Sequence, residues 1–321
     1  MLAKPLNNAQ ISEPFFLFCY LFMKVNYTKV CTPTQDLVSL LKNRGLNISD
    51  EQKAIGYLTS IGYYRLSSYC YPLLKSPKSD HFYKANASFD LVMNMYRFDR
   101  KLRMLLFNEI EKIEVAIRSA MSNKITEGLN DVFWMTEAEN FYNPTVYSKT
   151  VNLIQSEIDK TKEDFIVHFQ SKYADPFPPV WMIVEIIPFG LLCGIYNNLN
   201  MAKLKKKVAT HFGLSYPVFS SWIIALVNLR NLCCHHSRTW NREIPVVPAE
   251  PKSPVFPWIN STPTDMKRIY YRICMIKYLL FTVLPNNKFT QKLKLLLAEY
   301  PTIDIQAMGF PVGWENEPLW K

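Results

Sequence analysis

From Ser88 to beyond Met121 the chain keeps one unbroken helical rhythm. Phe89, Val92, Met93, Tyr96, Leu102, Leu105, Leu106, Ile113, Ala116, Ile117 and Ala120 form its apolar set, spaced to fall on one face of an α-helix. Little elsewhere argues for sheet. The chain has only 9 glycines in 321 residues, and no Asn-Gly or Asp-Gly step that could seed a tight hairpin. With 49% hydrophobic and 20% charged residues the composition is that of a globular domain. The expectation is an all-α fold, a helical bundle.

Local signals place the other helices. Thr32-Pro33-Thr34-Gln35 reads as a capping box with Pro33 at the first helical position, followed by Leu37, Leu40 and Leu41 and a stop at Gly45. Ser49 to Gln52 repeats the device ahead of Ala54, Ile55, Leu58 and Ile61, and Gly62 closes that helix. A short link between the two predicts that they lie antiparallel. Helical patterns follow at about 146–173, at Val180 to Ile187 after Pro178-Pro179, and at Phe189 to Leu199 after Pro188. Ser215-Tyr216-Pro217 opens a helix that buries Trp222, Ile223, Leu226 and Leu229 and runs on through Arg230.

Between Glu243 and Asp265 the prolines at 245, 248, 251, 254, 257 and 263 forbid helix. Their spacing suggests an extended crossover wrapping the core. Helix returns at Asp265 to Leu284 and near Thr290 to Ala298, and the aromatic tail from Gly309 to Trp320 should dock on the core. The chain divides, on this reading, into an extension at residues 1–22, a small helical module at 23–85 and a larger helical domain at 86–321. The run Phe15 to Phe22 is too short to span a bilayer and lacks an Ala-x-Ala cleavage site. It is read as sequence upstream of a start at Met23 rather than as a membrane-surface anchor, with no stable membrane insertion.

The net charge of +10 favours polyanion partners, nucleic acid first. Part of it is the run Lys203, Lys205, Lys206 and Lys207, which reads as a solvated helix end. The 7 cysteines show no Cys-x-x-Cys spacing, which suits reduced thiols in the cytoplasm.

Chemistry concentrates between Arg230 and Arg242. Asn231, His235, Arg238 and Arg242 stand at helical spacing as a polar stripe opposite the apolar face. A neutral imidazole can take a ribose 2′-OH proton, and a guanidinium can hold two phosphate oxygens. Arg230, Asn231 and His235 are therefore the expected catalytic set for RNA cleavage. Arg230 and His235 would stand about 140° apart on a helix, so one copy does not easily surround a phosphate and a homodimer is expected. Cys233, Cys234, His235 and His236 cannot all face one ion from a helix, so no metal or other cofactor is expected. Upstream, Tyr63 to Tyr71 sets aromatic rings around Arg65, with Tyr64 and Arg65 placed to stack on bases and meet phosphate. A packed turn between helices would explain the cluster as well. Glu111, Glu114 and Arg118 share one stripe, either a surface ion pair or a device positioning a site residue.

The segment Arg230-Asn231-Leu232-Cys233-Cys234-His235-His236-Ser237-Arg238-Thr239-Trp240-Asn241-Arg242 resembles the signature of the Abi-like (AbiD/AbiF) abortive infection family, a branch of the HEPN superfamily. So do Ile61 to Tyr69, Glu111 to Arg118, and Pro179 to Glu185 with Phe189-Gly190. Cys234 departs from the small residue usual at its position. The resemblance implies an all-α HEPN-like fold and a role in phage defence, often with a noncoding-RNA or protein antitoxin. It also implies metal-independent RNA cleavage through Arg-Asn-x-x-x-His at a site composed across a dimer. His236, Arg238, Asn241 and Arg242 would bind RNA or support the motif, with Tyr64, Arg65, Glu114 and Arg118 beside them. HEPN folds also serve as RNA-binding partners that do not cleave, which is the competing expectation.

Overall fold

The computed structural model describes residues 26–28, 30–260 and 265–321, and the expectation for residues 1–22 lies outside them. Among the described residues every regular element is helical and no strand forms. In chain order the α-helices are α1 (Thr34–Asn43), α2 (Glu51–Ile61), α3 (Tyr63–Cys70), α4 (Phe89–Leu129), α5 (Pro144–Lys160) and α6 (Asp164–Lys172). They continue with α7 (Val180–Ile186), α8 (Phe189–Asn198), α9 (Ala202–His211), α10 (Tyr216–Cys234), α11 (Ile269–Val283) and α12 (Phe289–Glu299). The all-α reading holds.

The long rhythm from Ser88 becomes α4, a single helix of 41 residues. Ser88 is extended, and its hydroxyl accepts from the Leu91 amide at 3.1 Å, a side-chain cap on an otherwise orphaned donor. Phe98, Leu102, Leu106, Ile110, Ile113 and Ile117 are completely buried along it. Helices α3 and α7 through α12 all pack against it, so α4 is the axis of the bundle. The buried apolar residues, Phe169 apart, form one connected core from Val38 to Trp320.

Several boundaries move. Helix α1 begins at Thr34, because Pro33 sits extended outside it and no side chain caps the first turn. In α2 the cap is Asp50 rather than Ser49, its carboxylate accepting from the Lys53 amide at 2.9 Å. Gly45 (φ 90°) and Gly62 (φ 89°) stop their helices as expected, in backbone that only glycine adopts freely. Tyr63 to Cys70 is itself a helix rather than a turn. The expected helix at 146–173 is two, because Thr161 leaves α5 in extended backbone. Lys205 is not part of a solvated helix end. It is 7% exposed, donates to the Asn197 carbonyl at 3.2 Å, and stands near the rings of Tyr142, Tyr196 and Tyr216.

The proline-rich crossover forms no helix up to residue 260 and is stapled to the core. Arg272, fully buried, donates to the carbonyls of Ile244 at 3.0 Å, Arg268 at 3.1 Å and Met266 at 3.2 Å. The Tyr278 hydroxyl accepts from the Val255 amide at 3.1 Å and donates to the Gly213 carbonyl at 2.7 Å. The aromatic tail docks as expected, with Phe310, Trp314 and Trp320 buried around Tyr270. Helix α10 is apolar and long enough by composition to cross a bilayer; here Trp222, Ile223, Leu226 and Leu229 are wholly buried in the protein core.

Candidate functional site

The expected polar stripe depends on α10 continuing past His235, and it does not. His235 caps the helix, its amide still bonded to the Asn231 carbonyl at 2.9 Å. His236 takes the left-handed conformation at φ 55°. Its amide donates to the Cys233 carbonyl at 3.1 Å, and that of Ser237 donates to the Leu232 carbonyl at 2.9 Å. This pair of bonds is a Schellman ending, which satisfies the last carbonyls of a helix and normally uses glycine where His236 stands. A histidine there costs backbone strain, a burden that native structures keep mostly at functional positions. Arg238 and Arg242 thus leave the helix and lie on the returning chain, while His235 and His236 stay exposed at the turn.

Turn and α3 together line a cavity of about 350 Å³ that is open to solvent. Tyr64, Arg65, Ser68 and Tyr69 line it from α3, and His235 to Arg238 with Arg242 line it from the turn. Three guanidinium groups and two imidazoles meet there, and no carboxylate does. Arg65 donates to the His236 carbonyl at 2.6 Å, and Arg238 returns a bond to the Ser68 carbonyl, so the two walls are cross-linked. Burial holds the Arg238 guanidinium below its ordinary pKa. Tyr64 is 94% exposed beside the cavity, an unattached ring able to stack on a base.

Beneath the cavity sits a residue that sequence reasoning missed. Asp99 of α4 is completely buried. Its carboxylate accepts from the Tyr69 hydroxyl at 2.6 Å, the Thr239 amide at 3.1 Å and the Trp240 amide at 2.8 Å, as well as from the Thr239 hydroxyl and Arg103. A buried carboxylate is tolerable when its lone pairs are filled in this way. The arrangement fixes Tyr69 on one wall and the Arg238–Trp240 backbone on the other. The available signal was an Asp among the apolar positions of a long helix. The 140 residues that separate it from its partner Thr239 hide the rest.

A second polar group lies on α4 where it meets α7 and α10. Glu114 pairs with Arg118, whose guanidinium also donates to the Ile187 carbonyl at 2.9 Å and to that of Val184. The other Glu114 oxygen stands 3.7 Å from Nε of Arg230. The Glu114 and Arg118 side chains are only 14% and 12% exposed, so this is an interior device rather than a surface ion pair. Glu111 is exposed and stands apart from it. Arg230 reaches Asn231 Oδ1 at 3.4 Å, and neither residue lines the cavity that holds His235. Asn241 (φ 45°) accepts from Arg268 at 3.3 Å, and Arg242 donates to the Arg238 carbonyl at 3.5 Å, so both brace the returning chain.

Cys233 is buried, and burial pushes its thiol up to about 12, far from a thiolate nucleophile at neutral pH. Among the described residues no three His, Cys, Asp or Glu side chains converge as a metal-ligand group.

No match to a curated protein or to a solved structure was found. The family model described as Abi-like protein matches residues 56–241. That span covers more than half of the chain and takes in α3, Asp99, Glu114 and the whole Arg230–Asn241 segment. The chain therefore belongs to the Abi-like protein family.

Proposed function

We propose that the protein acts in abortive infection as a metal-independent endoribonuclease, working in the cytoplasm through Arg230, Asn231 and His235. The observation that carries this reading is the cavity itself: three arginines, two histidines and no acid beside a free tyrosine ring. Such a lining is suited to a phosphate backbone and one flanking base.

His235 takes the 2′-OH proton, the 2′ oxygen bonds to phosphorus, and the bond from phosphorus to the 5′ oxygen breaks. The products are a 2′,3′-cyclic phosphate and a 5′-OH, the leaving 5′ oxygen taking its proton from the imidazolium of the second His235 that a two-copy site brings to the phosphate. Arg230 supplies charge to the phosphorane, oriented by Glu114 and Asn231. Arg230 lies outside the cavity of its own chain, so a second copy related by a two-fold axis would bring a complementary Arg230 and His235 to the same phosphate. A noncoding-RNA or protein antitoxin would bind over this surface.

The test is incubation of purified protein with RNA in EDTA, with DNA and 2′-O-methyl RNA as controls. The expected result is cleavage of RNA alone, leaving cyclic phosphate ends, and loss of cleavage in His235→Ala. Retention of RNA without any cut would replace the enzyme by a non-cleaving RNA-binding partner of the same family. Cutting of DNA, or complete inhibition by EDTA, would overturn the mechanism. Sedimentation should show a dimer under the conditions of cleavage.

A further inference from the structure

One face of α12, Lys277 of α11 and Trp320 line a second cavity of about 630 Å³, open to solvent, which shares no residue with the first. Lys277, Lys288 and Lys294 line it, and no carboxylate does. Lys321 lines it too. Among the described residues none of the three lysines has a carboxylate within 4.0 Å.

Lys277 is the unusual member. It is only 7% exposed, and its ammonium group meets one amide oxygen, that of Asn287 at 3.4 Å, and the face of Phe281 at 4.8 Å. Burial depresses its pKa. An ammonium group withdrawn from water without an anion is costly; Lys205, equally buried, offsets that cost with two backbone carbonyls, whereas Lys277 has a single amide oxygen. The neighbouring polar groups are also underused. The Thr290 hydroxyl is buried without a hydrogen-bond partner. Helix α12 opens at Phe289, whose amide donates to the Asn287 side chain at 3.2 Å, while Lys288 at its N-terminal flank caps none of the amides that follow. Unfilled amides at the positive end of a helix favour a phosphate oxygen.

We propose that this cavity binds the phosphate group of a small phosphorylated ligand of nucleotide size. Lys277 meets the deepest phosphate oxygen, Thr290 donates its hydroxyl, and Lys288 and Lys294 neutralise the remaining charge. The volume lies within the range of small-ligand sites, and the recessed Lys277 ammonium is better reached by a terminal phosphate than by a passing polynucleotide backbone.

The test is thermal denaturation and calorimetric titration of the full chain with inorganic pyrophosphate, and in parallel with ATP and a single-stranded RNA. Pyrophosphate and ATP at millimolar concentration should each raise Tm by at least about 2 °C. Lys277→Met keeps the stem and volume and should weaken that binding at least about tenfold. Because Lys277 is interior, the exposed pair K288E/K294E provides a second variant, in which the shift should vanish while the unliganded Tm stays as in the parent. The proposal is overturned if neither small ligand shifts Tm, if both variants respond like the parent, or if RNA alone produces a shift. None of these outcomes bears on cleavage at His235, whose reading stands or falls on its own assay.

Discussion

The two halves of the segment from Arg230 to Arg242 are held in opposite ways. The downstream half, Arg238 to Arg242, rests on Asp99, a wholly buried carboxylate filled by donors from α3, α4 and the returning chain. The upstream half, Arg230 to His235, is lightly tied. The Arg230 side chain is 38% exposed, its nearest carboxylate oxygen stands at 3.7 Å, and its buried Nε has no hydrogen-bond partner. A fully satisfied polar cluster is rigid, whereas a partly satisfied one leaves capacity for another molecule. The difference teaches that the wall proposed to bind RNA is prebuilt, while Arg230, proposed for the chemistry, keeps unspent hydrogen-bonding and charge.

Substitutions can break that contrast, and they rank by their expected cost in stability. Asp99→Ala should be the most severe. It leaves Arg103, Tyr69 and two backbone amides buried without an acceptor, a loss of about 3–5 kcal/mol. Thermal denaturation should record a fall in Tm of about 4–7 °C, together with loss of RNA binding because both walls lose their anchor. A variant of nearly parental Tm would show that Asp99 is not the keystone of the binding wall.

Glu114→Gln comes next, at about 1–3 kcal/mol, since it removes the charge between two guanidinium groups but keeps an acceptor. Cleavage should fall more steeply than RNA affinity, as expected of a residue that positions Arg230. Equal losses in the two assays would return Glu114 to a purely structural role.

The third change has the opposite sign. His236→Gly relieves the left-handed strain at the Schellman turn and should raise stability by about 0.5–1 kcal/mol. If denaturant unfolding shows a destabilised protein instead, the imidazole makes a contribution larger than the strain it imposes. His235→Ala should be the smallest in stability, within about 0.5 kcal/mol, because the side chain is exposed. A large unfolding effect from this variant would make its loss of cleavage uninformative.

Much of the fold was legible because its signals are local. Gly45, Gly62 and Ser88 mark their boundaries by backbone freedom or by a side-chain cap, and the proline spacing excludes helix without reference to anything distant. What stayed hidden depends on contacts across the chain or on competition between neighbours. Asp50 outcompetes Ser49 for the cap of α2, a choice that an Ser-Asp pair leaves open. The end of α10 was misread because no glycine marks it, and the reversal rests on His236 accepting φ 55°. That one misreading turned Arg238 and Arg242 into helix positions and concealed the cavity they line. Arg230, Asn231 and His235 were legible as a motif, but only the folded chain separates Arg230 from the cavity that His235 lines.

Both polar groups behind the site stand on α4, and that fixes how the region can change over evolutionary time. Asp99 and Glu114 are fifteen positions apart on one continuous helix, which sets them about 22 Å apart along its axis. A loop of that reach absorbs an added or lost residue by bulging. A helix transmits it: one inserted residue turns everything downstream by about 100° and advances it about 1.5 Å. Insertion between these two carboxylates would swing Glu114 away from Arg230 and, with it, Arg118 away from the Val184 and Ile187 carbonyls. The stretch from Asp99 to Arg118 is therefore a length standard, open to substitution on its outer face and closed to any change in the number of its residues.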